Sequence, residues 1–293
     1  MGSFRAPLFY AWEEYDFPRM TTTNLQNLPP LDNEFPLSTE QIEAYKKHGH
    51  VMVRGLLSKD EIAAYRAAIL SAVEKFKVEV KPLEERDTYG KAFLQIMNLW
   101  VRDEAVRPFV LSKRLGRVAA QLMEVDQSRL YHDQALFKEP GGGPTPWHQD
   151  QHYWPLATDN TITMWMPLVD VDTSMGTMRF ASGSQREGYL GDMPISDKSE
   201  ELFEKFVKER GYEIVESGSM SAGDATFHSG WTLHGAPGNS GDRMREVMTI
   251  IYYPDGTRVG SADNDNRKAD LATWLPGLKP GDLAASDLNP LTS

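Results

Sequence analysis

The order of apolar and polar positions divides the chain into a helical opening and a longer stretch of short strands. Helical spacing begins at PLSTEQIEAYKKHG, where Ser38 and Gln41 spell a capping box. Ile42 and Tyr45 supply one apolar stripe, and Gly49 stands where a helix-ending glycine belongs. His50-Val51-Met52-Val53 reads as a short strand. Ser58 then caps a second helix, KDEIAAYRAAILSAVEKF. From about residue 90 the text turns to β-rich runs: AFLQIMNLW, RLYHDQALFKE, TITMWMPLVDV, TMRFAS, EIVES, DATFHS and REVMTIIYY. Helices interrupt at KRLGRVAAQLME and SEELFEKFVKERG. Many short strands separated by Gly, Pro and Asp turns predict an all-β sandwich or barrel behind a helical N-terminal layer.

Residues 1–37, rich in Pro, Asn and aromatics, show no period. They read as an extended arm that packs on the body or crosses to a partner subunit, which leaves a homodimer open. Residues 38–293 are expected to form a single domain with a strand-rich core over about 90–255. The polar tail after Asp255 reads as surface loop.

Composition narrows the function. A net charge of −11, from 31 basic and 42 acidic residues, argues against a nucleic-acid partner. Hydrophobic residues make up 40%, too many for a disordered chain. Cysteine is absent, which excludes disulfides, thiolate nucleophiles, Cys-ligated zinc and iron–sulfur clusters, and fits a reducing, cytoplasmic setting. No apolar run has the length of a membrane span, and the first residues lack a signal-peptide core.

The phrase Trp147-His148-Gln149-Asp150 carries the strongest chemical signal. In extended backbone, residues two apart point to one side, so His148 and Asp150 can serve one metal ion. His234 follows the run DATFHS, and a later strand of a rolled sheet can return beside the first. Two histidines and one carboxylate leave half of an octahedral ion open, the arrangement of non-heme Fe(II) oxygenases. The open positions suit a bidentate 2-oxo acid and O₂. A dicarboxylate such as 2-oxoglutarate also needs a cation for its far end, and arginine fits best. Arg243 and Arg245 share strand parity, so the pleat alone does not choose between them.

These phrases together resemble the phytanoyl-CoA dioxygenase family of Fe(II)/2-oxoglutarate oxygenases. HGHVMVRGLLSKDEI resembles the family's opening. ALFKEPGGGPTPWHQD resembles the stretch into its H-x-D, and MRFASGSQREG its arginine-phenylalanine strand and turn, with Gln185 where histidine is usual. SAGDATFHSGWTLHGAPGNSGDRMREVM resembles the segment from the distal histidine to the arginine. The likeness runs from about residue 38 to 254.

The resemblance implies a double-stranded β-helix, a mainly β jelly-roll of cupin type with flanking N-terminal helices. It implies Fe(II) on His148, Asp150 and His234, with 2-oxoglutarate and O₂ as co-substrates. It places the 2-oxoglutarate arginine at Arg245, ahead of Arg243, and Gln134 and Trp165 beside the co-substrate. Ala236 stands where a serine is common. The intact Asp150 favours oxygenation over halogenation, since related halogenases lack the carboxylate. The implied reaction oxidises an aliphatic C–H of a small molecule and releases succinate and CO₂.

Trp147, Tyr153, Trp154 and Trp231 are expected to line a pocket for a bulky or apolar substrate, favouring a secondary-metabolite scaffold over an acyl-CoA. His132 is expected either in the pocket or as a hydrogen-bonded core residue, and His228 as structural. Two other classes fit the same residues: a jelly-roll isomerase or hydrolase that ignores 2-oxoglutarate, and a non-catalytic binding protein. Dependence on 2-oxoglutarate separates the first from the oxygenase, and failure to bind iron singles out the second.

Overall fold

Capping signals set the first elements of the computed structural model, which describes residues 28–77 and 81–293. Ser38 caps α1 (Thr39–His48) through a reciprocal bond with Gln41, and Gly49, at φ 74°, ends it. The chain passes through β1 (His50–Val53) into α2 (Lys59–Phe76), which Ser58 and Glu61 cap in the same way. Next come α3 (Thr88–Ala92), β2 (Leu94–Met97), α4 (Leu99–Arg102), α5 (Arg107–Val110) and α6 (Lys113–Met123). The run AFLQIMNLW, expected as strand, is extended only over β2. Asn98 adopts left-handed backbone (φ 52°), and α4 begins there because buried Asp133 accepts from the Leu99 and Trp100 amides.

The strands follow: β3 (Ser128–Lys138), β4 (Thr145–His148), β5 (Ile162–Pro167) and β6 (Arg179–Ala181). After α7 (Asp197–Arg210) come β7 (Ile214–Glu216), β8 (Ala225–Ser229), β9 (His234–Ala236) and β10 (Arg245–Pro254), and then α8 (Asp265–Trp274). They form two antiparallel sheets, ordered β1-β8-β5-β10-β3-β2 and β4-β9-β6-β7. Strand alternation divides the larger sheet. One face packs Val53, Phe137, Met164, Phe227 and Met248 against the N-terminal helices. The other turns Trp165 and Val247 toward Phe180 of the smaller sheet. This is the expected jelly-roll core, but helical residues outnumber strand residues, so "mainly β" describes the roll and not the chain.

The pairing of β10 with β3 contains one irregularity. β10 and β3 pair in register from Arg245↔Lys138 to Ile251↔His132, after which Tyr252 faces Leu130. Tyr131 is the extra residue of a β-bulge. Leu130 therefore joins the helix-side core, while Tyr131 turns inward beside His132.

The tail departs from expectation. It holds α8, and Leu275, Asn289 and Thr292 are buried. Asn289 Nδ2 donates to Leu130 O at 3.2 Å and Thr292 Oγ1 to Ser128 O at 3.2 Å, so the chain end docks on β3. The sequence hid this because α8 has few apolar positions and the docking is polar. Of the expected arm, residues 28–37 pack on the body: Leu31 is buried and Tyr65 donates to Pro29 O. The rest of the arm lies outside the described residues.

Candidate metal and co-substrate site

β4 and β9 pair so that His148 lies directly opposite His234, with ring centroids 4.1 Å apart. Gln149 is extended, which keeps Asp150 on the side of His148, and Asp150 then opens a single 3₁₀ turn. One ligand atom from each of His148, Asp150 and His234 falls within 4.8 Å of the others. Asp150 Oδ1 is 3.5 Å from His148 Nε2 and 3.6 Å from His234 Nε2.

The donor set fits a divalent metal. His148 Nδ1 donates to Pro146 O at 2.8 Å and His234 Nδ1 to Thr232 O at 2.9 Å. Each ring is thereby fixed in the tautomer that presents its Nε2 lone pair inward. Burial, and then the neighbouring His148 and His228, hold His234 well below the ordinary imidazole range, so it stays unprotonated. Burial opposes the charge on Asp150, yet the surrounding histidines hold its carboxyl well below the usual range.

Two residues hold the other oxygen of Asp150. Thr163 Oγ1 donates to Oδ2 at 2.8 Å, and His228 Nε2 lies 3.2 Å from it. His228, expected to be structural, is thus a partner of the acidic residue. Its signal was available: in the run DATFHS it shares parity with Thr226, on the inward face.

Arg245 begins β10 on that same inward face and is buried, at 2% exposure. Its guanidinium lies over the Trp165 ring at 5.4 Å and donates through Nη1 to Gly176 O. Burial lowers it to about 9, so it remains a cation at neutral pH. Arg243 is exposed, with its guanidinium beside Met175 Sδ. Gln134 and Trp165 flank Thr249 in direct register on either side, and Thr226 stands opposite Trp165. Gln134 accepts from Gln95 Nε2 at 2.7 Å.

Between Arg245 and the triad, Arg245 Nε, Thr249 Oγ1 and Thr226 Oγ1 are buried without hydrogen-bond partners among the described residues. Buried polar atoms are seldom left unpaired, so a row of them ending at a cation fits a dicarboxylate. Counting in twos from Arg245 reaches Thr249, the signal that marks it from sequence. Lys138, opposite Arg245, is also buried. Burial, and then the charges of Arg245 and Arg179, push it down to about 6, and Gly143 O and Pro237 O accept from its amine.

The aromatic residues divide. Tyr153 and Trp154 follow Asp150, and Trp154 packs on Tyr131. Trp231 donates to Asp159 and meets Tyr189 at the edge of the roll. Trp147 does not line the pocket. It alternates with His148, so it points outward under Phe203 and Val207 of α7, with the Arg179 guanidinium 4.3 Å away.

Residues 45–247 match the family model described as phytanoyl-CoA dioxygenase. Among curated proteins, the chain is 22% identical over 227 residues to a probable alpha-ketoglutarate-dependent hypophosphite dioxygenase of Stutzerimonas stutzeri, covering 73% of this chain and 77% of that one. Among solved structures it is similar to the alpha-ketoglutarate-dependent carbocyclase SnoK from nogalamycin biosynthesis. That match has a TM-score of 0.72 and 26% identity, and covers 88% of this chain and 97% of SnoK. The epimerase SnoN, solved with Fe³⁺, alpha-ketoglutarate and nogalamycin RO, shares the fold at a TM-score of 0.71 and 24% identity, over 87% of this chain and 98% of SnoN. Among the described residues no helix is long and apolar enough to cross a membrane.

Proposed function

The chain belongs to the phytanoyl-CoA dioxygenase family of Fe(II)- and 2-oxoglutarate-dependent oxygenases, and from that premise we propose that it oxidises an aliphatic C–H of a small organic substrate at a centre built by His148, Asp150 and His234. The observation that carries the reading is the convergence of these three ligand atoms on one buried point, with both imidazoles fixed to offer Nε2. Bound iron would activate O₂, the oxidant, which would take two electrons from 2-oxoglutarate as it becomes succinate and CO₂ and two from the substrate C–H.

This chain's residues then have distinct tasks. Asp150 offers Oδ1 while Thr163 and His228 occupy Oδ2, which favours one metal bond over two. Arg245 receives the far carboxylate of 2-oxoglutarate, and Thr249 and Thr226 supply hydroxyls along the way. Gln134 and Trp165 wall the co-substrate on either side of Thr249. Trp154 and Tyr131 build an apolar flank for substrate. SnoK and SnoN belong to nogalamycin biosynthesis, which supports a natural-product scaffold as substrate.

The test is succinate formation from 2-oxoglutarate in air by the iron-loaded protein. Asp150→Ala and His234→Ala are each expected to abolish it. Full turnover in either variant contradicts the assignment.

A further inference from the structure

α8 lies beside the Asp150 turn and the bulged end of β3, and none of its residues is fully buried. Asn266, Asp270 and Trp274 recur at four-residue spacing and share one face of it. The first meets the turn that Asp150 opens, and the other two meet the bulge of β3. Asn266 Nδ2 is 3.1 Å from His152 Nε2, in the turn that Asp150 opens. Asp270 Oδ2 accepts from the Tyr131 hydroxyl at 3.0 Å. The Trp274 ring lies 4.9 Å from that of His132. Tyr131 and His132 are side by side because of the bulge in β3, which turns both inward. His132 is buried, and its Nδ1 has no partner among the described residues. Tyr131 also packs on Trp154, four residues after Asp150, which links the Asp270 side of the roll to the metal-ligand turn.

The charges there do not cancel. Resting on the oxygenase reading, the two positive charges of Fe(II) and the one on Arg245 balance Asp150 and a doubly charged 2-oxoglutarate. When ionised, Asp270 is left over. Among the described residues no lysine or arginine pairs with it; its partners are Tyr131 and Trp274. A half-buried carboxylate held by two uncharged donors and no cation keeps acceptor capacity that a cation would fill.

We propose that Asp270 anchors the substrate, and that the substrate class carries a protonated amine on an apolar body, the amine seated between Asp270 and the rings of Tyr131 and Trp274. The state of the carboxyl agrees. Burial pushes Asp270 up to about 7 against the hydrogen bonds of Tyr131 and Trp274, and a cation in contact stabilises its ionised form.

The test uses the full chain loaded anaerobically with Fe(II) and 2-oxoglutarate, with cyclohexylamine and its neutral analogue cyclohexanol as probes. Binding is read by tryptophan fluorescence and by the shift of the visible Fe(II)–2-oxoglutarate band. The amine is expected to bind about tenfold or more tighter than the alcohol. Asp270→Asn keeps an acceptor for Tyr131 but should erase that preference. Tyr131→Phe breaks the same hydrogen bond without removing the charge, and the preference should survive. An amine that binds no better than the alcohol overturns the proposal, as does a preference that persists in Asp270→Asn. Loss of preference in both variants makes the Asp270–Tyr131 pair a latch for α8 and also overturns it. Absence of the visible band in the wild type counts against the oxygenase reading instead, and the fluorescence comparison still decides the role of Asp270.

Discussion

The two oxygens of Asp150 face different partners, and that division sets what each neighbour does. Oδ1 looks toward His148 and His234, while Oδ2 is held by Thr163 and His228. His228 Nδ1 is buried without a partner among the described residues, and Nε2 is the nitrogen that faces Oδ2. Removing that donor frees the carboxylate to swing. His228→Leu is expected to weaken Fe(II) retention by roughly tenfold or more in a chelator competition, by the usual effect of residues behind a ligand. His228→Gln, whose amide reaches the same place, should recover most of it. Equal retention in the leucine variant would assign His228 to packing. The convergence of His148, Asp150 and His234 was legible because parity joins the first two and the family resemblance supplies the third. For His228 the parity with Thr226 gave the inward direction, but its task depends on which strand lies beside β8. Trp147 was misplaced although the same parity rule, applied one residue before His148, points it outward.

Elements carry what single residues cannot. The bulge in β3 re-aims Tyr131, and no hydrophobic pattern in RLYHDQALFKE announces it, since an extra residue is visible only against the partner strand. The turn before β6 works in a similar way. Gly176 has φ 73°, and its carbonyl accepts from Arg245. A Cβ there would run into Pro237 O. Gly176→Ala should therefore cost about 2 kcal/mol or more in denaturant melts. It should also weaken 2-oxoglutarate binding, although residue 176 offers no side chain to the ligand. Unchanged affinity would show that Arg245 is positioned without that carbonyl. α1, α2, α6, α7 and most strands were readable because their caps and alternation are local, whereas the short α3, α4 and α5 were not read. α8 was missed because its inward face is polar, with Asn266 and Asp270 where a core-facing helix would carry leucine.

Across the whole molecule, the large sheet separates two environments. The helix side is a continuous apolar layer, into which Asp133 projects to receive the start of α4. Burial pushes this carboxyl from 3.8 up to about 7. The folded chain thus binds the proton more tightly than the unfolded one. Its contribution to stability is present below about pH 4 and is lost as the pH rises toward 7. Asp133→Asn carries no such charge. Thermal melts across that range should show the variant gaining on the wild type as pH rises, and a constant difference would contradict the buried-charge account. The inward side carries the triad, the unpaired hydroxyls and Arg245. One measurement tests that arrangement most directly: an anaerobic titration of the Fe(II)-loaded protein with 2-oxoglutarate, followed by the weak visible charge-transfer band of the chelate. The wild type and Arg243→Ala should saturate alike, and Arg245→Ala should need about 100-fold more 2-oxoglutarate. Iron bound without any band, or an Arg245→Ala titration that overlays the wild type, would contradict the account.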